Sequence, residues 1–104
     1  MNVVIHPVHF DASESLVGFI NKKLVKLETF FDKIIEAEVF LKMETKQNIK
    51  DKIVEIKVQV PGKVLFVTKT SKTFEESTDL ALQTIAGQLK RQKQKQKQFE
   101  NITV

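Results

Sequence analysis

The sequence of 104 residues has no cysteine, tryptophan or tyrosine, only three glycines, and no long apolar segment. Without cysteine, the chain can form no disulfide bond, no thiolate metal site and no cysteine nucleophile. The glycines lie far apart, which excludes a glycine-rich phosphate loop. No apolar run approaches the ~20 residues that a helix needs to cross a bilayer, and the N-terminus lacks the features of a signal peptide. We therefore expect a cytoplasmic protein.

Residues that could form a catalytic or metal site are sparse. The two histidines, His6 and His9, flank Pro7, and no third ligand accompanies them, although a zinc site needs three or four. Carboxylates such as Glu38 and Glu55 alternate with apolar residues on predicted strands, so we expect them in solvent rather than in an acid–base site. We predict no enzymatic activity, no metal, no cofactor and no small-molecule substrate.

The length and composition indicate one soluble domain. Hydrophobic residues make up 41% of the chain and include eight phenylalanines, enough for one modest core. Charged residues make up 29%, which indicates a well-solvated exterior rather than disorder. We predict that residues 1–98 form the domain and that residues 99–104 form a frayed C-terminal tail.

Hydrophobic patterns predict an α+β fold with the element order β-α-β-β-β-α. Four segments have the β-branched or alternating composition of strands. A polar connection is expected at residues 45–52, and Pro61-Gly62 predicts a tight turn. The predicted strands are residues 3–5, 36–44, 54–60 and 64–67.

Two segments have the spacing of amphipathic helices. The first helix begins after cap residues at 11–15, and the second is capped by Ser71 or a neighbouring threonine. The inward stripe of the first is Leu16, Ile20, Leu24, Leu27 and Phe31. The inward stripe of the second is Phe74, Thr78, Ala81, Leu82, Ile85 and Leu89.

The charge of residues 90–98, the basic segment, is the most unusual feature of the chain. Residues 1–89 carry 12 lysines and 12 acids, so the whole net charge of +4 lies in the last 15 residues. The apolar stripe ends at Leu89, and Gln92 and Gln96 follow in the same phase, so we predict a helix that projects past the core. A solubilising tail is one interpretation, but positive charge without interleaved acids favours a polyanionic partner, with nucleic acid first. The basic residues of the segment are Lys90, Arg91, Lys93, Lys95 and Lys97.

The first helix also carries basic residues. Lys22, Lys26 and Lys33 fall opposite its apolar stripe and Lys23 lies on the flank, which is typical either of a solvated face or of a phosphate-binding surface. If both helices pack on the same face of the sheet, their basic sides form one continuous surface. Most phenylalanines occupy core positions, so we expect no exposed aromatic platform and contacts mainly with backbone phosphates.

Five segments, in their order and spacing, resemble one known family over nearly the whole chain. The family is that of the short ribosome hibernation promoting factors, also called ribosome-associated inhibitor A or sigma-54 modulation proteins. The chain departs from it at Thr84 and Gly87, where the family often has basic residues. Because the sequence ends at Val104, we expect no C-terminal dimerisation domain like that of the long forms. The segments are residues 22–28, 38–41, 58–65, 79–81 and 88–93.

The resemblance implies a fold and a function. The fold is a four-stranded sheet with both helices on one face, similar to double-stranded RNA-binding domains. The function is non-enzymatic: such proteins bind the small ribosomal subunit in the channel used by mRNA and tRNA, and they block translation during starvation. The family's RNA contacts correspond here to Lys22, Lys23, Lys26, Lys90, Arg91 and Lys93. To these we add Lys95 and Lys97 from the basic segment as expected RNA-binding residues.

A different function remains open from the residues alone. The basic segment could make the chain a protein-interaction regulator that docks on an acidic partner, and a sheet face carrying Phe40 and Ile53 is a candidate docking patch. Membrane-surface binding ranks lower because the helix has no apolar side beyond Leu89.

Overall fold

The elements follow the order β-α-β-β-β-α, which confirms the predicted α+β class. In this computed structural model, residues 1–47 and 49–102 are described, together with their side chains except those of residues 49 and 95–102. The elements are β1 (Asn2–Pro7), α1 (Glu14–Phe30), β2 (Glu36–Lys46), β3 (Ile49–Val60), β4 (Lys63–Ser71) and α2 (Phe74–Ile102).

The four strands form one mixed sheet in the order β1-β2-β3-β4. β1 pairs with β2 in parallel, because α1 carries the chain back between them, and the other two pairs are antiparallel. The register aligns Ile5 with Val39, Val39 with Ile56, and Ile56 with Val67. This apolar row crosses the sheet on the face that the helices cover.

Both helices pack on that one face, as predicted, and together with it they enclose the core. In α1, Leu16, Ile20, Leu24 and Leu27 are buried. Phe31 lies just past the end of α1 and is only partly buried, so the predicted stripe is one residue too long. All six residues of the predicted α2 stripe are buried: Phe74, Thr78, Ala81, Leu82, Ile85 and Leu89.

The predicted polar connection at residues 45–52 is mostly strand. Pairing continues past the core through Glu44 with Asp51 and Thr45 with Lys50, and the chain turns near Gln47, whose φ is 50°. The prediction failed because neither face of this hairpin end is covered, so apolar residues do not alternate there although the backbone still pairs. For the same reason Met43 is 46% exposed, although it continues the apolar alternation that predicted the strand at residues 36–44 and was expected on the buried face.

Polar side chains define the starts of both helices. The Leu16 amide donates to the Ser13 hydroxyl oxygen over 3.1 Å, and the Glu76 amide donates to that of Thr73 over 3.1 Å. A threonine thus caps α2, one of the two predicted choices. The Ser71 hydroxyl lies 2.7 Å from that of Ser77, which donates to the Lys52 carbonyl oxygen over 2.7 Å.

Helix α2 extends well past the core. Its 29 residues correspond to about 44 Å of helix. Leu89 is the last buried residue among the described side chains of α2, and the helix continues for about 20 Å beyond it. The backbone is helical through Ile102, where the sequence predicted a tail from residue 99; residues 103–104 lie outside the described part of the chain, and fraying of this end stays a prediction. Within the described residues, neither helix combines the length and apolar character that would let it cross a membrane.

Candidate nucleic-acid interface

The basic side chains of α1 lie away from the sheet because its buried stripe fixes the rotation of the helix. Lys22 and Lys26 are exposed, and Lys23 lies closer to α2 and is partly covered. Lys23, Lys26 and Phe30 are spaced by three and four residues, so they form one flank of the helix. This flank faces α2, whereas Lys22 points away from the buried stripe.

Lys23 connects the two helices. Its Nζ lies 3.3 Å from Oδ1 of Asp79 in α2, and 5.3 Å from the centre of the Phe19 ring. The Lys23 side chain is 38% exposed and that of Asp79 46%, so solvent screens the ion pair strongly. The ammonium group is therefore positioned at the junction of the helices while it stays accessible to a ligand.

A groove of about 410 Å³ runs between the helices, which we call the interhelical groove. Leu27 and Leu82 line its apolar part. Phe30 is 65% exposed, so the expectation of no exposed aromatic on this surface is wrong. The sequence signal was the Phe30-Phe31 pair, of which the helical phase directs only one toward the core. The other lining residues are Lys23, Lys26 and Phe30 from α1 and Asp79, Gln83 and Ala86 from α2.

The described basic residues at the end of the α2 stripe point to both sides of the helix. Lys90, Arg91 and Lys93 are all exposed and directly follow the buried Leu89. Lys93 lines a cavity of about 80 Å³ with Phe31, Asp32, Lys33 and Pro61, at the end of α1. The structure thus brings Lys93 and Lys33 to one cavity.

Arg91 lies on the opposite side of α2, next to the edge strand β4. It lines a depression of about 350 Å³ with Lys63, Phe66 and Gln88. Sequence reasoning missed Lys63, because nothing local to the β3–β4 turn indicates that it shares a surface with Arg91. The side chains of Lys95 and Lys97 lie outside the described ones, so their predicted role is not tested; their backbone belongs to α2.

Charge is distributed unequally between the two faces of the molecule. The outer face of the sheet, opposite the helices, carries three lysines (Lys42, Lys46 and Lys57) among a larger number of acids. Lys42 pairs with Glu55 over 3.0 Å, and Lys46 pairs with Glu44 over 3.4 Å. Three of the four acids of α2 (Glu75, Glu76 and Asp79) lie toward its beginning, whereas its basic residues follow Leu89, so positive charge accumulates toward the other end of the helical face. The acids of the outer face are Glu36, Glu38, Glu44, Asp51 and Glu55.

The predicted docking patch on the outer face is only partly available. Phe40 and Ile53 are half-buried rather than exposed. The His6 ring stacks on Phe40 at 4.7 Å between ring centres and covers part of it. His6 Nε2 in turn lies 3.1 Å from Glu38 Oε2. Large apolar side chains are exposed instead at Val64 and Phe66, on β4.

The chemistry of the helical face suits anions. Ammonium and guanidinium groups on two adjacent helices bind phosphate oxygens without reading sequence. Among the side chains that the structure describes, no three His, Asp or Glu residues form a group that could hold a metal ion. The exposed cations on the two helices therefore support binding of a polyanion.

Comparison with known proteins identifies similar chains over almost the full length. A family model described as Sigma 54 modulation protein / S30EA ribosomal protein matches residues 3–97. A ribosome hibernation promoting factor of Pseudomonas putida is 29% identical over 96 residues, which cover 92% of this chain and 90% of the relative.

Two solved structures have a similar fold. A ribosomal subunit interface protein from Coxiella burnetii superposes with a TM-score of 0.77 at 22% identity, covering 89% of this chain and 98% of that one. The N-terminal domain of Protein Y from Thermus thermophilus gives a TM-score of 0.74 at 23% identity, covering 88% and 98%. These two likenesses establish the arrangement of the sheet and helices.

Proposed function

The chain belongs to the Sigma 54 modulation protein / S30EA ribosomal protein family, and from that premise we propose that it is a ribosome hibernation factor. In this proposal it binds the RNA of the small ribosomal subunit and occupies the channel used by mRNA and tRNA, so it inhibits translation without catalysing a reaction. Its place of action is the cytoplasm. The observation that carries the proposal is the basic helical face, formed by two helices on one side of the sheet.

The exposure of the basic side chains supports phosphate binding. Lys22 and Lys26 on α1 and Lys90, Arg91 and Lys93 on α2 all lie at the surface. Each phosphate contact releases counterions, so the logarithm of the affinity should fall with the logarithm of the salt concentration by about 0.7–0.9 per contact. Five such contacts imply that a few-fold increase in salt weakens binding by orders of magnitude.

The shape of α2 supports inhibition by occupancy. The helix reaches about 20 Å past Leu89 and carries Lys95 and Lys97 along that length, in addition to the described basic residues. A single basic helix is narrow enough to enter a cleft lined by RNA, while the sheet and α1 remain at its mouth. An anionic surface on both sides of the helix would neutralise its charge.

The test is cosedimentation with purified small ribosomal subunits. Lys90→Glu combined with Arg91→Glu should abolish binding, because both side chains are exposed and the reversal changes the local charge by four. The matched control is Lys50→Glu with Lys72→Glu, which changes the net charge equally at exposed sites outside the proposed interface. Circular dichroism checks that both double variants fold. Undiminished cosedimentation of the first variant would refute the proposed contact.

The second candidate function is docking on an acidic protein through the same basic segment. The exposed Val64 and Phe66 on β4, beside Arg91, are the observation in its favour. Ribonuclease separates the two functions: a tagged chain recovers ribosomal components from untreated lysate only, if RNA is the ligand. Capture of one acidic protein that persists after complete RNA digestion supports the alternative.

A further inference from the structure

Phe30 is the exposed aromatic side chain in the interhelical groove. It lies in the last turn of α1, on the same flank as Lys26 and one turn beyond it, and 65% of the residue is accessible. The buried stripe of α1 ends at Leu27, so the Phe30 side chain does not belong to the hydrophobic core. An aromatic ring held at the surface by a rigid helix presents a π-face at little conformational cost.

The surroundings of Phe30 combine apolar, positive and amide groups. Leu27, Leu82 and Ala86 supply apolar surface at the ring, and Lys26 supplies a positive charge one turn away. Gln83 faces the same groove and is exposed, so its amide can both donate to and accept from the edge of a base. These are the three kinds of group that an unpaired nucleotide needs: a stacking surface, a phosphate partner and a hydrogen-bonding partner.

The charge of the α2 side chains changes along the groove. Asp79, Gln83 and Ala86 of α2 line the groove, and Lys90 and Lys93 continue this row along the helix at spacings of four and three. The acid lies at one end of this row, where it pairs with Lys23, and the lysines lie at the other. Phe30 therefore lies between Lys26 and the positive end of the row, and a polyanionic strand placed there would have cations on both sides of the ring.

We propose that Phe30 is a stacking platform for an unpaired RNA base, whose neighbouring phosphates are bound by Lys26 and Lys90. The site deepens the proposed function, on which it rests, by adding a base contact to a surface otherwise built for phosphates. The ring tolerates any base, since every base has a π-face. The base is unpaired, because the bases of a duplex are already stacked and not accessible to a side chain in this groove.

The test compares the affinities of Phe30→Leu and Phe30→Tyr for purified small subunits. Leucine keeps most of the apolar volume and loses the π-face, so affinity should fall about 5- to 140-fold, from the usual range for one stacked base. Tyrosine keeps the ring and should bind within two-fold of the original chain. Val25→Ala is the matched control, since Val25 is 61% exposed on α1 but outside the groove. The melting temperatures of all three variants should stay close to that of the original chain.

Ultraviolet crosslinking tests for direct contact between Phe30 and RNA, which a purely structural role of Phe30 would not produce. Trypsin cleaves after Lys26 and Lys33, so the peptide 27–33 contains Phe30 and Phe31 as its aromatic residues. Fragmentation of the crosslinked peptide should place the nucleotide on Phe30.

Two results overturn the inference and leave the proposed function intact. One is equal subunit affinity of Phe30→Leu and the original chain; the other is a crosslink absent from peptide 27–33 while binding is tight. If the original chain does not bind subunits, the proposed function fails separately. The same variants are then compared on a single-stranded RNA oligonucleotide, and equal affinities there overturn stacking.

Discussion

Lys23 and Asp79 join the two helices, with the lysine Nζ 3.3 Å from the aspartate Oδ1 at the surface proposed to bind RNA. Both side chains are more than a third exposed, so the pair contributes little to stability. Asp79 places a negative charge in the interhelical groove, where it would compete with a phosphate group for Lys23.

We predict that Asp79→Asn strengthens binding to small subunits. The substitution frees Lys23 for a phosphate contact, so the plot of log affinity against log salt should become steeper by about 0.7–0.9. Isothermal titration at four or five salt concentrations measures this slope.

The control for that prediction is Asp51→Asn, which removes an equal charge from the outer face of the hairpin. It should leave the slope unchanged. An unaltered slope for Asp79→Asn would mean that Lys23 makes no contact with phosphate.

Gly87→Ala should stabilise the domain by about 1 kcal/mol. Gly87 lies inside α2 and is exposed, and apart from its chain neighbours and the adjacent helix backbone no atom lies within 4 Å of the position that a Cβ would occupy. Alanine therefore removes the entropic cost of glycine without a clash. For a domain of this size the melting temperature should rise by about 4–8 °C in calorimetry.

Gly62→Ala provides the opposite comparison in the same experiment. Space is equally open there, but φ is +78°, a conformation that costs an L-residue about 1–2 kcal/mol. The melting temperature should fall. Equal shifts for the two variants would contradict the argument from backbone conformation.

Ile85→Ala should destabilise the domain by about 2–5 kcal/mol. Ile85 is fully buried where α2 packs on the sheet, so truncation loses apolar burial and leaves a cavity. Urea unfolding measures the loss as a lower midpoint. Leu80→Ala, at a residue that is 38% exposed in the same helix, should cost much less. A similar cost at both positions would argue against the packing described for α2.

Local patterns predicted most of the fold because each depends on residues close together in the chain. All six residues of the predicted α2 stripe are buried, and Ser77 is buried in addition. The hairpin at residues 45–52 was missed because its strands pair through backbone atoms without burying either face. For the same reason the burial of Met43 was predicted wrongly, because its alternation with polar residues continues past the edge of the core.

The candidate interface was predictable in part. Lys22, Lys26, Lys90, Arg91 and Lys93 are exposed on the helices, as their positions relative to the apolar stripes indicated. The exposure of Phe40 was predicted too high, because the His6 ring that stacks on it belongs to a strand that is distant in sequence. Lys63 was not predicted beside Arg91 for the same reason.

The sequence by itself determined the two helical stripes, the strand order along the chain and the position where apolar burial ends and the basic segment continues. These properties depend on periodicity and charge, which are linear in the chain. Only the tertiary structure decided that Lys23 meets Asp79, that Lys93 shares a cavity with Lys33, and that Phe30 opens into a groove between helices. Such relationships depend on how the sheet positions the two helices, because strand order and register set which of their flanks meet.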